Sequence, residues 1–190
     1  MKYTLLQIRQ RAFTLVETII VVALGTSMMI VLGLLIYNFN TTVVYEQTLA
    51  QSSGSASAVM REIESLALPA DAVLQMHTFS GVPHTSSATE LILEIPSIDN
   101  SGNVIANTYD YARFYLVGTD VYRHLEAYDL SSRTSGTKRL GSTVQTLTFI
   151  YNNSDFPRVS AITVDVQTRT QVKQNVLSYH LREYVRLRNY

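Results

Sequence analysis

Glu17 is the side chain whose chemistry is hardest to satisfy in this sequence. It enters an apolar run, and the next 20 residues, Thr18 to Tyr37, carry no charge. A carboxylate held in lipid costs on the order of 2.5–3.5 kcal/mol on insertion scales, so a compensating partner is expected. Reactive constellations are otherwise poor. His77, His84, His124 and His180 do not stand at metal-ligand spacing and read as ordinary loop or strand residues. No nucleophile elbow or phosphate-cradling glycine loop occurs. Glu62 and Glu64, two apart on a helix, do not face each other and read as a solvated face. Asp99-Asn100-Ser101-Gly102-Asn103 departs from the calcium-loop pattern, which favours a plain turn. Arg182, Arg186 and Arg188, with Tyr184 and Tyr190 nearby, form a basic edge. Arginine with aromatics suits single-stranded nucleic acid, but a charged strand face that blocks edge aggregation is the favoured reading. No catalytic residue, metal or cofactor is assigned.

The element that must hold Glu17 is a membrane helix. Thr18–Tyr37 shows no polar face, and at about 1.5 Å per residue it spans the roughly 30 Å hydrocarbon core. Lys2, Arg9 and Arg11 precede it, and the first acid after it is Glu46. The positive-inside rule therefore places the N-terminus in the cytoplasm and the bulk of the chain outside. A secretory signal peptide is the rival, but its apolar region is shorter, and Tyr37-Asn38-Phe39-Asn40 is a poor small-x-small cleavage site. Residues 13–190 carry 12 basic and 15 acidic side chains, which argues against a general nucleic-acid binder. Cysteine is absent, so disulfide frameworks and thiolate metal sites are excluded.

Arg11-Ala12-Phe13-Thr14-Leu15-Val16-Glu17 and the run after it resemble the class III signal of type IV prepilins and type II secretion pseudopilins. The family pattern is a basic leader, a Gly or sometimes Ala, then Phe-Thr-Leu-x-Glu and an apolar helix. The resemblance implies cleavage between Ala12 and Phe13 by a prepilin peptidase, N-methylation of Phe13, and Glu17 as the fifth mature residue. It gives Glu17 a counter-charge: the Phe13 ammonium of a neighbouring subunit sets assembly register. At about 4 Å and an effective dielectric near 20 that attraction is roughly 4 kcal/mol before desolvation. The alternative is that Glu17 sits at the headgroup boundary. Tyr115 to Arg123, Leu140 to Tyr151, Pro157 to Val164 and Val185 to Asn189 resemble J-type minor pseudopilins and related minor pilins by order and spacing. Glu17 speaks against K-type tip subunits, and zero cysteine against a major pilin with a terminal disulfide loop.

From Phe13 to Ala67 no proline interrupts the helix, and Pro69 supplies the stop. Its second half carries Tyr45, Leu49, Ser52, Ala56, Val59, Ile63 and Leu66 as a stripe to pack on a sheet; too few heptads disfavour a coiled coil. Ser52-Ser53-Gly54-Ser55 reads as a soft spot where the helix bends or frays. Beyond Pro69 the period becomes two: Leu91-Leu93-Ile95, Phe114-Leu116, Val121-Arg123-Leu125, Leu147-Phe149-Tyr151, Ile162-Val164-Val166, and Leu177 through Leu187. Ser131–Gly141 reads as a flexible loop.

The expected fold is α+β: a long N-terminal helix, part membrane and part amphipathic, packed on an antiparallel sheet as in a pilin "lollipop". The expected divisions are a cleaved leader 1–12, a membrane and filament-core helix 13–37, its amphipathic continuation 38–68, and an extracytoplasmic β-rich domain 69–190. The expected function is a non-enzymatic minor pilin or pseudopilin. It co-assembles through its N-terminal helix and primes or caps a type II secretion pseudopilus or type IV pilus. The resemblance implies other pilins, a prepilin peptidase, and an assembly platform with its ATPase as partners, the inner membrane and then a filament as location, and nucleic acid only as a less favoured partner. The alternative is a single-pass anchored extracytoplasmic ligand-binding module outside any filament.

Overall fold

A computed structural model describes residues 14–173 and 175–188. Contacts divide the chain into two compact units, Met1–Tyr45 and Glu46–Tyr190. One helix, α1 (Leu15–Ala67, 53 residues), belongs to both and ends just before Pro69. In the first unit its side chains are exposed almost throughout. The hydroxyls there turn back on the helix: Thr26 Oγ1 donates to Val22 O at 2.9 Å and Ser27 Oγ to Leu24 O at 2.9 Å. Such bonds hide polar groups where the surroundings offer no partner.

In the second unit α1 buries Ser52, Ala56, Val59, Met60, Ile63, Leu66 and Ala67. The predicted stripe is therefore the buried face from Ser52 onward, while Tyr45 is exposed and Leu49 half-buried. It packs on antiparallel strands in a five-stranded sheet, in the order β1 (Ala72–Val73), β4 (Glu90–Ile98), β5 (Val104–Val117), β6 (Asp120–Glu126), β7 (Gly136–Gly141). A three-stranded sheet follows the order β10 (Asn175–Arg186), β9 (Ala161–Val172), β8 (Val144–Tyr151). A separate hairpin joins β2 (Met76–Phe79) to β3 (Val82–Thr85). Phe149 N of β8 donates at 2.8 Å to the carbonyl of Ala88, in the turn that leads into β4.

The alternating residues meet the helix as their period requires. Leu91, Leu93, Ile95, Ala112, Phe114, Val121, Leu125, Leu147, Phe149, Ile162, Val164, Val166, Val185 and Leu187 join the α1 stripe in one core.

Three local expectations are corrected. Residues 136–141 are not loop: they form β7, paired antiparallel with β6. Gly-Thr-Lys-Arg-Leu-Gly has no apolar alternation because β7 is an edge strand with mostly exposed side chains. Residues 52–55 do not fray, since α1 is helical through them. Their small side chains instead admit β7: a Cβ on Gly141 would stand 2.9 Å from Val59 Cγ2 and 3.0 Å from the Ser55 carbonyl oxygen. Glu62 is not merely solvated. It accepts from Arg123 of β6, and Lys138 Nζ of β7 lies 3.3 Å away, so it pins the helix to that sheet.

Candidate functional site

Two regions carry the unusual chemistry. At the start of α1, Thr14 N and Thr14 Oγ1 both donate to Glu17 Oε2 at 2.9 Å, and Glu17 N donates to Thr14 Oγ1 at 3.3 Å. This reciprocal pattern is a capping box, which satisfies helix-end donors. In the single chain, Glu17 is thus compensated by its own helix terminus. Thr14-x-x-Glu17 was the available signal, but it is overlaid by the prepilin-like reading of the same residues. Ala12 and Phe13 lie outside the described residues, so the cleavage, methylation and register assignments there have no geometry. Downstream, the apolar side chains of α1 are exposed: Leu15 79 %, Met29 77 % and Phe39 69 %. One helix is long and apolar enough to cross a membrane.

The second region is the outer face of the five-stranded sheet. The β2–β3 hairpin turns through Ser80 (φ 48°) and Gly81 (φ 85°), two positive-φ residues as a type I′ turn requires. It lays Phe79 on the sheet, buried, with ring centroids of His77, His124 and His84 at 4.7, 5.3 and 6.1 Å. His77 also stacks on Tyr111 at 3.8 Å, and its Nε2 is 3.3 Å from Glu126 Oε2. His84 Nδ1 lies 3.5 Å from Glu90 Oε1, and Arg113, bonded to Glu90 through two nitrogens, covers the Tyr115 ring at 4.0 Å. His124 Nδ1 is 2.7 Å from Thr137 Oγ1, and burial, the largest influence on this ring, lowers its pKa. Three histidines that look isolated in sequence therefore gather around one phenylalanine. His180 stands apart, its Nε2 2.8 Å from Asp165 Oδ1. Among the described residues no group of three or more His, Asp or Glu could hold a metal.

Beside this cluster lies a groove of about 320 Å³ lined by His77, Tyr109, Tyr111, Glu126, Tyr128 and Asp129. Asp71 raises the Tyr109 pKa most; burial and then Glu94 raise that of Tyr111. Glu94 is itself raised, by burial first and then by Asp71. Asp71, Glu94, Glu126 and Asp129 thus lie around these tyrosines, with His77 beside Glu126, and Arg133 and Arg188 lining a cleft with Asp71. The groove's wall is fixed by Asp110, fully buried on β5. Its Oδ1 accepts from Tyr128 N at 2.9 Å and Ser97 Oγ at 2.8 Å; its Oδ2 accepts from Ser131 Oγ at 2.8 Å and Arg133 at 2.6 Å. Burial alone would raise this carboxyl, but Arg133 and the other donors hold it below the usual carboxylate range.

Asp99 closes a turn. Its Oδ1 accepts from Ser101 N at 2.8 Å and Asn103 N at 2.9 Å, with Gly102 at φ 83°. Arg182, Arg186 and Arg188 are exposed on one face of the last strand and its extension, as the alternation predicts, and Tyr184 joins them. Tyr190 lies outside the described residues.

No protein-family model matches this chain, and no curated protein matches it in sequence. The architecture is nonetheless that of a pilin-like structural fold: a long N-terminal helix, apolar and exposed in its first part, packed in its second part on an antiparallel sheet.

Proposed function

We propose that this chain is a minor pilin or pseudopilin subunit of a type II secretion pseudopilus or type IV pilus, co-assembling through its N-terminal helix and priming or capping the filament. The observation that carries this reading is the division of labour within α1. Its last part is committed to the chain's own core, while its first part buries nothing. An apolar surface of that length must be covered by lipid or by other helices, and a bundle of like helices covers it outside the membrane. In this reading a prepilin peptidase cuts between Ala12 and Phe13 and the new amine is methylated. The chain waits in the inner membrane with its N-terminus cytoplasmic. Its partners are then other pilins or pseudopilins and an assembly platform with its ATPase. J-type minor pseudopilins are the nearest class by order and spacing.

The test is Glu17→Ala in cells carrying the assembly machinery. Membrane insertion is expected to be unchanged and recovery in sheared filaments to be lost. Normal incorporation would contradict the role of this carboxylate in assembly.

A further inference from the structure

The second unit carries two oppositely charged surfaces, each with charged groups that have no salt-bridge partner among its described residues: Asp129 on one, Arg182 and Arg186 on the other. The groove on the five-stranded sheet is lined by Glu126 and Asp129 with Tyr109, Tyr111 and Tyr128, and Asp71 and Glu94 adjoin its tyrosines. His77 alone is basic among its lining residues. The outer face of the three-stranded sheet is the converse. Arg182, Tyr184 and Arg186 alternate along β10, all exposed, and Arg169 of β9 faces the same way opposite Ser178. Arg186 stands across from Ala161, and Asp165, the neighbour across from Arg182, is taken by His180 at 2.8 Å. Among the described residues no carboxylate lies within salt-bridge distance of Arg182 or Arg186. Arg188 lines a different cleft, with Asp71 and Arg133.

We infer that the acidic, tyrosine-lined groove of one copy receives the Arg182–Tyr184–Arg186 row of a second copy. Two features fit a guanidinium row better than a neutral ligand, and a third favours docking in general. Tyrosine faces attract a guanidinium at about 0.5–1 kcal/mol per exposed contact, more when water is excluded. Carboxylates at the rim accept its forked donors in pairs. The Asp110 node holds Tyr128 in place beforehand, so little ordering is lost on docking. The contact joins two different surfaces, so it propagates from copy to copy unless its rotation closes a ring. The contact pairs two copies of this chain; it does not rest on the priming or capping role proposed above and does not require leader removal.

The absence of cysteine gives a clean test. Two differently tagged full-length copies are co-expressed, one with Thr78→Cys at the groove and one with Thr163→Cys beside Tyr184, extracted in detergent, and treated with a short bismaleimide. A mixed dimer is expected, with little product when Val117→Cys replaces Thr163→Cys. Adding Asp129→Lys to the groove copy, or Arg186→Glu to the row copy, lowers the yield about fivefold, the factor corresponding to the ~1 kcal/mol of a rim ion pair. Combining the two reversals restores it. Equal yields with the control pair, or reversals that leave the yield unchanged, overturn the inference. So does an intact cross-link accompanied by loss of single-stranded oligonucleotide binding on Arg186→Glu, which would assign the row to nucleic acid. Because the readout is taken in detergent without assembly machinery, it can fail while Phe13 is still found as the mature N-terminus, and the converse holds.

Discussion

Glu17 caps its own helix and, in the proposed filament, would also pair with a neighbouring chain; single substitutions separate the two roles. As N3 of the capping box it bonds Thr14 N and Oγ1; as a charge it would meet an ammonium on a neighbouring chain. Glu17→Gln keeps a bonding carbonyl at the cap but loses the charge, whereas Thr14→Ala keeps the charge and costs about 0.5–2 kcal/mol of helix-end stability. Loss of filament recovery with Glu17→Gln and its retention with Thr14→Ala is the expected pair of outcomes; the reverse assigns the carboxylate to capping alone. Asp110 is the other side chain with a large stake. Asp110→Asn leaves Arg133 facing a neutral amide and is expected to destabilise the second unit by roughly 3–5 kcal/mol, the cost of breaking a buried ion pair, read as a lower denaturant midpoint. Its folded carboxyl is held below the ordinary range. Its contribution is therefore complete above the unfolded value and disappears as pH falls through the folded one. Acid should weaken the wild type more steeply than Asp110→Asn. Neither Asp110's partners nor the gathering of His77, His84 and His124 was readable in the sequence. Asp110 and Arg133 are 23 positions apart, and no local spacing encodes which residues a hairpin folds onto.

At the scale of elements, legibility followed burial on one face. The run from Leu177 to Leu187 alternates because one side of β10 and its extension meets the core and the other meets solvent, and the structure keeps that alternation. The α1 stripe was readable for the same reason. β7 was not, because its side chains are mostly exposed and its place is set by pairing with β6 and by the close approach of Gly141 to α1. The β2–β3 hairpin left one usable sign, the Ser80-Gly81 pair between two short apolar-edged runs. The Gly141 contact makes a prediction at this scale. Gly141→Ala puts a methyl 2.9 Å from Val59 Cγ2, and overpacking of this kind costs about 1–3 kcal/mol. Thermal denaturation of the full chain in detergent should show a lowered transition, and Gly141→Ala combined with Val59→Ala should recover part of it. An unchanged transition would mean that β7 shifts away from the helix without cost.

For the whole molecule, one chain combines a membrane-length apolar helix with a folded unit that uses the other end of that helix as part of its core. In the filament and self-contact proposed above, such a chain would gain from neighbours in two ways: like helices would cover the apolar segment, and complementary faces would meet between folded units. The first depends on how the N-terminus is finished. A leader bearing Lys2, Arg9 and Arg11 keeps three cations ahead of Glu17 and blocks the amine that a neighbouring carboxylate would need. Intact-mass and N-terminal peptide mass spectrometry of the protein, purified from membranes of cells with an active prepilin peptidase, therefore reads the central claim directly. The account predicts a chain beginning at Phe13 with a methylated amine. A chain that still begins at Met1 would contradict it and would leave a single-pass anchored module in its place.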